Sequence, residues 1–385
     1  MTLSDTVPVL RELRLRNFRN FEDVHLVFPA AGAAVIGDNG SGKTNLLEAI
    51  YYLEIFRSFR GSSDDQLVRF GAEAFHIRGV FYDPVASRDL EITAAYESKT
   101  RTKRVRIDGV EQERLVDAIG RVAAVIFSPS DVELVSGGPA ERRRYLDILL
   151  SLSSRGYLEA LQRYRHALRQ RNAVLRGFVN ESVTSAFEPA LVAAGAVIMT
   201  ARAKWVSEHA DRFAELYAEI GGGAAAQMRY SPDVAVNGPM TEATAAVAFE
   251  QALARVARRE RERRVTLAGP HRDDLSFLMA AADGDVDLRE FGSGGQRRTG
   301  AIALRLVEAA TIRGARSRQP VMLLDDVFAE LDAGRSSRIV QLFREGRRGQ
   351  VVMTAPKETD VELAPFDDRD SAPARWGIAA GSIRA

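Results

Sequence analysis

Eight consecutive residues constrain this chain more than any others: Gly37-Asp38-Asn39-Gly40-Ser41-Gly42-Lys43-Thr44. Glycines at the first, fourth and sixth positions allow a turn so tight that backbone N–H groups point inward, with no Cβ in the way of an anion. A helix opening behind such a turn presents its positive end to the same anion. The flanks fit that geometry: Ala33–Ile36 reads as a short buried strand and Asn45–Leu53 as an apolar helix. Lys43 would then reach the β- and γ-phosphates of a nucleotide such as ATP, and Thr44 would offer its hydroxyl to Mg²⁺. The plainer reading, a glycine-rich turn beside a surface lysine, does not explain the strand before it and the helix after it. The whole stretch Gly37, Asp38, Asn39, Gly40, Ser41, Gly42, Lys43 and Thr44 is therefore the candidate phosphate site.

A second segment supplies acid. Val321–Leu324 is an apolar run closed by Asp325 and Asp326. A strand buried on both faces reads as continuous apolar sequence, and open α/β sheets bind ligands at the carboxyl ends of such strands. Asp325 is the candidate Mg²⁺ ligand beside Thr44. Asp326 is the candidate to orient or deprotonate an attacking water, and with Lys43 it forms the candidate catalytic pair.

The texture between these segments sets the organisation. Alternating patterns predict strands over Leu10–Phe18, Val24–Phe28, Phe75–Tyr82, Leu90–Tyr96 and Arg104–Ile107, with a turn at Asp108-Gly109. Ala140–Gly221 is rich in Ala, Leu, Arg and Glu and reads as helical, up to the break Gly221-Gly222-Gly223. Met240–Arg264 predicts another helix. Strands return near Leu275–Met279, Val321–Leu324 and Gln350–Thr354, then Asp367–Arg375 reads as a solvated loop before a last strand at Trp376–Ile383. The expected fold is α/β: a head built from residues 1–127 and 265–385, with a mainly helical lobe at 128–264.

Composition narrows the rest. Lys plus Arg number 53 and Asp plus Glu 52, so any surface for nucleic acid must be local. With no cysteine there is neither disulfide nor thiolate metal site. No uninterrupted apolar run reaches the ~18 residues of a membrane span, and Met1–Leu10 lacks the pattern of a secretory leader, so a cytoplasmic protein is expected.

Phe291-Gly292-Ser293-Gly294-Gly295-Gln296-Arg297-Arg298 precedes a predicted helix at Thr299–Ala310. Phosphate loop, Ser-Gly-Gly-Gln and apolar strand with Asp-Asp, in that order, resemble the ATP-binding-cassette (ABC) ATPases. That resemblance implies an ABC-type P-loop ATPase head, in which Ser293, Gly294, Gly295 and Gln296 of one copy cap the ATP held by another, and Asp332 lies in the dimer-contact loop. More than 240 residues separate Lys43 from Ser293, an insertion typical of the SMC-like branch, here without a sustained heptad pattern. Within that branch the chain resembles the RecF family. The resemblance is carried by Leu15–Asn20, Gly37–Ile50, Phe127–Val135, Gly138-Pro139, Arg142–Asp147, Gly269–Leu275 and Leu324–Asp332. It implies recombinational DNA repair and replication restart within the SOS response, ATP-driven homodimerisation with slow DNA-stimulated hydrolysis, action at gapped, duplex and single-stranded DNA, and the partners RecR and RecO in loading RecA. Thr354 is followed by Ala355-Pro356, which departs from the family's switch region and leaves the γ-phosphate sensor unassigned.

For DNA contact, Lys103, Arg104 and Arg106 are candidates, against the alternative of a charged hairpin edge. Arg258–Arg264 mixes signs and reads as a solvated helix face. Arg272 and Asp274 read as an ion pair or a nucleotide contact across a dimer, and His271 lacks the spacing of a metal ligand. Rival functions remain on the sequence: the nucleotide-binding subunit of a transporter, another SMC-like ATPase, or a P-loop kinase or GTPase that uses one subunit's site and leaves Ser293–Gln296 without a job. For the first of these, the chain lacks the histidine such subunits place after the last core strand.

Overall fold

The computed structural model describes residues 9–83, 86–177, 186–281, 284–328, 331–345, 349–362, 366 and 372–384. The chain divides into two compact units, Met1–Ser130 with Glu308–Ala385, and Asp131–Val307.

The first unit holds two six-stranded sheets. One is antiparallel, in the order β2 (Phe21–Val27), β1 (Val9–Phe18), β4 (Ala74–Asp83), β5 (Arg88–Glu97), β6 (Thr102–Ile107), β7 (Val110–Glu111). The other runs β15 (Ser382–Arg384), β14 (Ala374–Ala379), β3 (Gly32–Ile36), β13 (Val351–Ala355), β12 (Val321–Asp325), β8 (Ala124–Phe127), parallel except for β15. Helix α1 (Lys43–Ile55) packs against strands of both, which explains why it is apolar all round: Leu46, Leu47, Ala49, Ile50, Tyr52 and Leu53 are all buried. Gln350 ties the two sheets together. Its side chain accepts from Leu10 N–H at 2.8 Å and donates to Leu10 O at 2.8 Å and Pro29 O at 2.9 Å.

The second unit packs α2 (Pro139–Ser153), α3 (Arg155–Arg176), α4 (Glu188–Gly221) and α5 (Glu242–Arg263) with an antiparallel sheet of β9 (Ala226–Ser231), β10 (Asp274–Ala281) and β11 (Gly284–Asp287). It differs from the expected lobe at 128–264. Strand β10 pairs with β9 and β11, so the chain from 265 to 307 belongs to this unit and not to the head. Helix α6 (Gly294–Arg316) begins in it. Helix α4 is long and apolar enough to cross a bilayer by length and composition, yet 56% of its most apolar window is buried against the rest of the protein. The predicted strands and helices otherwise have counterparts, with the last predicted strand divided between β14 and β15, whereas β7, β8, β9 and β11 had no predicted counterpart. The expected loop at Asp367–Arg375 lies mostly outside the described residues.

Candidate nucleotide site

Strands β3, β13 and β12 lie side by side and parallel, and their carboxyl ends carry the candidate residues. Gly37 follows β3 and its N–H donates to Ala355 O at 3.2 Å. Gly40 and Gly42 have φ of 81° and 114°, a left-handed backbone that an L side chain resists. A Cβ on Gly42 would lie 2.4 Å from Asn20 Nδ2, so a side chain there would also have to displace the Asn20 amide. Asn20 buttresses the loop: its amide donates to Ser41 O at 2.9 Å and accepts from Asn45 Nδ2 at 2.8 Å. Beside it Arg19 pairs with the fully buried Glu48 of α1 at 2.7 Å, fixing the β1–β2 turn against the helix.

Lys43 is buried. Its Nζ donates to Gly37 O at 2.6 Å and lies 3.7 Å from Asp326 Oδ2. Thr44 Oγ1 lies 3.0 and 2.9 Å from the two oxygens of Asp325. Hydroxyl and carboxylate thus meet although 281 positions separate them. Asp326 adopts a φ of 44°, a region that Asp tolerates better than most residues. Burial pushes the Asp325 carboxyl up from its ordinary pKa, while hydrogen bonds from Thr354 and Thr44 act against that shift.

Thr354 is the residue that sequence reasoning left without a role. It faces Asp325 in the β12–β13 register. Its hydroxyl donates to Asp325 Oδ1 at 2.9 Å, lies 3.3 Å from Asp326 Oδ1, and accepts from Asp326 N–H at 3.0 Å. The one signal was a lone polar residue ending an apolar strand.

A magnesium nucleotide fits this donor set. Ser41 Oγ is buried with no hydrogen-bond partner among the described residues, Gly40 leaves open space where a Cβ would stand, and a hydroxyl faces a carboxylate. Helix α1 also starts without a side-chain cap, leaving its first N–H groups for an anion.

The remaining candidates fall elsewhere. Ser293, in the second unit, is exposed at the start of α6 and forms a reciprocal cap: Gln296 N–H donates to its Oγ at 3.2 Å and its own N–H donates to Gln296 Oε1 at 2.8 Å. Gly294 and Gly295 open the helix. Asp332 caps α7 (Ala333–Glu345) by accepting from Arg335 N–H at 2.8 Å, which lowers its carboxyl pKa; Glu330 lies outside the described residues.

Lys103 corrects a sequence expectation. It is mostly buried, pairs with Asp64 at 2.7 Å and donates to Phe56 O, so it faces inward and is tied within the head. Arg104 and Arg106 share the exposed face, with Arg106 paired to Glu111 at 3.3 Å. Arg272 and Asp274 do not pair with each other: Arg272 meets Asp233 at 3.3 Å and Asp274 meets Arg142 at 2.7 Å. His271 bonds Tyr164 Oη at 2.6 Å and is held below its ordinary pKa by burial.

The chain's relatives agree with this architecture. Residues 9–369 match the model of the RecF/RecN/SMC N terminal domain. A DNA replication and repair protein RecF of Anaeromyxobacter sp. is 39% identical over 361 residues, 93% of this chain and 95% of the relative. That of Salinibacter ruber is 35% identical over 363 residues, 92% of this chain and 87% of the relative. A solved structure of the recombination mediator protein RecF with ATP, of the RecFOR pathway, superposes with a TM-score of 0.87 at 29% identity, covering 98% of this chain and 99% of that one. An Smc head domain from Pyrococcus furiosus shares the fold, with a TM-score of 0.57 at 17% identity over 98% of this chain and 96% of that one. The chain belongs to the RecF family of DNA replication and repair proteins.

Proposed function

We infer that the chain binds ATP with Mg²⁺ at the end of β3 and uses it to close a homodimer on DNA. The observation that carries this is the convergence of Lys43, Thr44, Asp325, Asp326 and Thr354 at one edge of a parallel sheet. Gly37–Thr44 would cradle the phosphates, Lys43 would neutralise their charge, and Thr44 with Asp325 would hold the cation. The cation would supply charge neutralisation between the phosphate oxygens. Asp326 would take up a proton from the attacking water at its carboxylate, and the Thr354 hydroxyl would fix both carboxylates.

Ser293 is exposed at a helix N-terminus, which suits a γ-phosphate offered by a second copy. Hydrolysis would then be slow, because it waits on dimer closure, and Asp332 would sit at that contact. DNA is the substrate favoured by the family, with gapped and single-strand–duplex forms bound without sequence preference. RecO and RecR are partners favoured by the pathway of the solved relatives, with RecA loading as the outcome.

Sedimentation with and without ATP tests the dimer. Wild type should double in mass with ATP. Lys43→Ala should bind no ATP and stay monomeric, and Ser293→Arg should bind ATP yet stay monomeric. No mass change for wild type, or ATP-driven dimers in both variants, would sink this assignment.

A further inference from the structure

The run Arg258–Arg264 mixes signs along the chain, but both of its carboxylates are engaged. Glu260 is buried, where it accepts from Arg171 at 2.6 Å and Leu267 N–H at 2.7 Å. Glu262 pairs with Arg258 at 3.1 Å. Arg255, Arg259 and Arg263 recur every fourth residue of α5, so they stand on one face, about 6 Å apart along the axis. All three are exposed, and among the described residues none has a carboxylate partner. With Arg272 they line a cavity of about 290 Å³ in which, among the described residues, Asp233 is the one acid.

A neighbouring cavity of about 260 Å³ makes the contrast. It too is lined by arginines, but they are held internally: Arg202 by Asp147 and Asp273, Arg165 by Asp147, and Arg143 by Asp273 O. Those charges build the unit. The α5 row has no such structural work, and like charges four residues apart repel.

We propose that Arg255, Arg259 and Arg263 of α5 form a contact for the phosphodiester backbone of DNA, with Arg272, held by Asp233, at its edge. This rests on the DNA-binding function inferred above. A row of charges suits a repeating anion better than a single small one. Guanidinium, with no lysine in the row, suits bidentate contact with phosphate. Among the described residues no aromatic side chain lines the cavity. A protein partner would want such an anchor, whereas a sequence-independent backbone contact needs none.

The test is fluorescence anisotropy of labelled gapped duplex with the full chain and ATP over a salt series. Arg259→Ala with Arg263→Ala should flatten the slope of log affinity against log salt by about 2, one phosphate contact per arginine. Arg259→Lys with Arg263→Lys should keep most of the slope, and ATP binding should stay at the wild-type level in both. Equal slopes in wild type and the alanine variant overturn the proposal while leaving the DNA reading intact. No DNA binding by wild type overturns both. If the alanine variant loses binding to polyglutamate but not to DNA, the row serves an acidic protein and the proposal falls.

Discussion

Thr354 donates to Asp325 and accepts from Asp326 N–H, so one hydroxyl sets the positions of both carboxylates. Replacing it with valine keeps the shape and removes the hydroxyl. Thr354→Val should lower ATP hydrolysis about ten-fold or more, since a hydrogen bond to a charged group is worth ~1.5–3 kcal/mol, while ATP affinity changes only a few-fold. Asp325 would lose a hydrogen bond that favours its charged form, so the acid limb of the activity–pH profile should move to higher pH. A profile matching wild type would show that Thr354 is passive. Glu54 of α1 offers a separate titration. Burial pushes its pKa up to about 8 from 4.5, so the folded state keeps a proton that the unfolded chain has released. Its contribution to stability is full below about pH 4.5 and is lost as pH rises towards about 8. Glu54→Gln should flatten that decline, seen as a urea midpoint that no longer falls across the same range. The phosphate loop was legible because its chemistry is local. Thr354 and Lys103 were not: one depends on strand register and the other on Asp64 across the fold.

Among elements, Arg202 of α4 shows how the second unit is held. Its buried guanidinium donates to Asp147 of α2, to Tyr157 of α3, and to Pro270 O and Asp273 before β10. Tyr230 of β9 closes on the same Asp273. Arg202→Ala would strand Asp273, which is only 1% exposed, without its cation. It should cost about 3–5 kcal/mol, measured as a loss of urea stability with ATP binding retained. A loss under about 1 kcal/mol would mean that water replaces the pair. The Gly269–Asp274 motif was visible as a sequence pattern, but its work was not, because its partners come from four elements. Strands β9 and β11 escaped notice for a related reason. Strand β11 has four residues and a single apolar side chain, and β9, although Ala226, Met228 and Tyr230 alternate inward, is six residues standing just past the glycine break with its partner β10 more than 40 positions away.

At the scale of the molecule, the interleaving of the two chain ends was legible, since both halves of a phosphate site were present and far apart. The division after Val307 was not, because it follows from the pairing of β10 with β9 across the α5 helix. That interleaving bears on how the chain is made. Strand β3 lies between β13 and β14 and is bonded to both. From Ile36 to Val351 is 315 positions, about 16 s of synthesis at about 20 residues per second. For that interval the phosphate-loop strand waits with both edges unpaired, an invitation to the wrong neighbour. The contiguous unit from Asp131 to Val307 can meanwhile complete its own sheet and helices. The nucleotide site is thus among the first parts to leave the ribosome and among the last to exist.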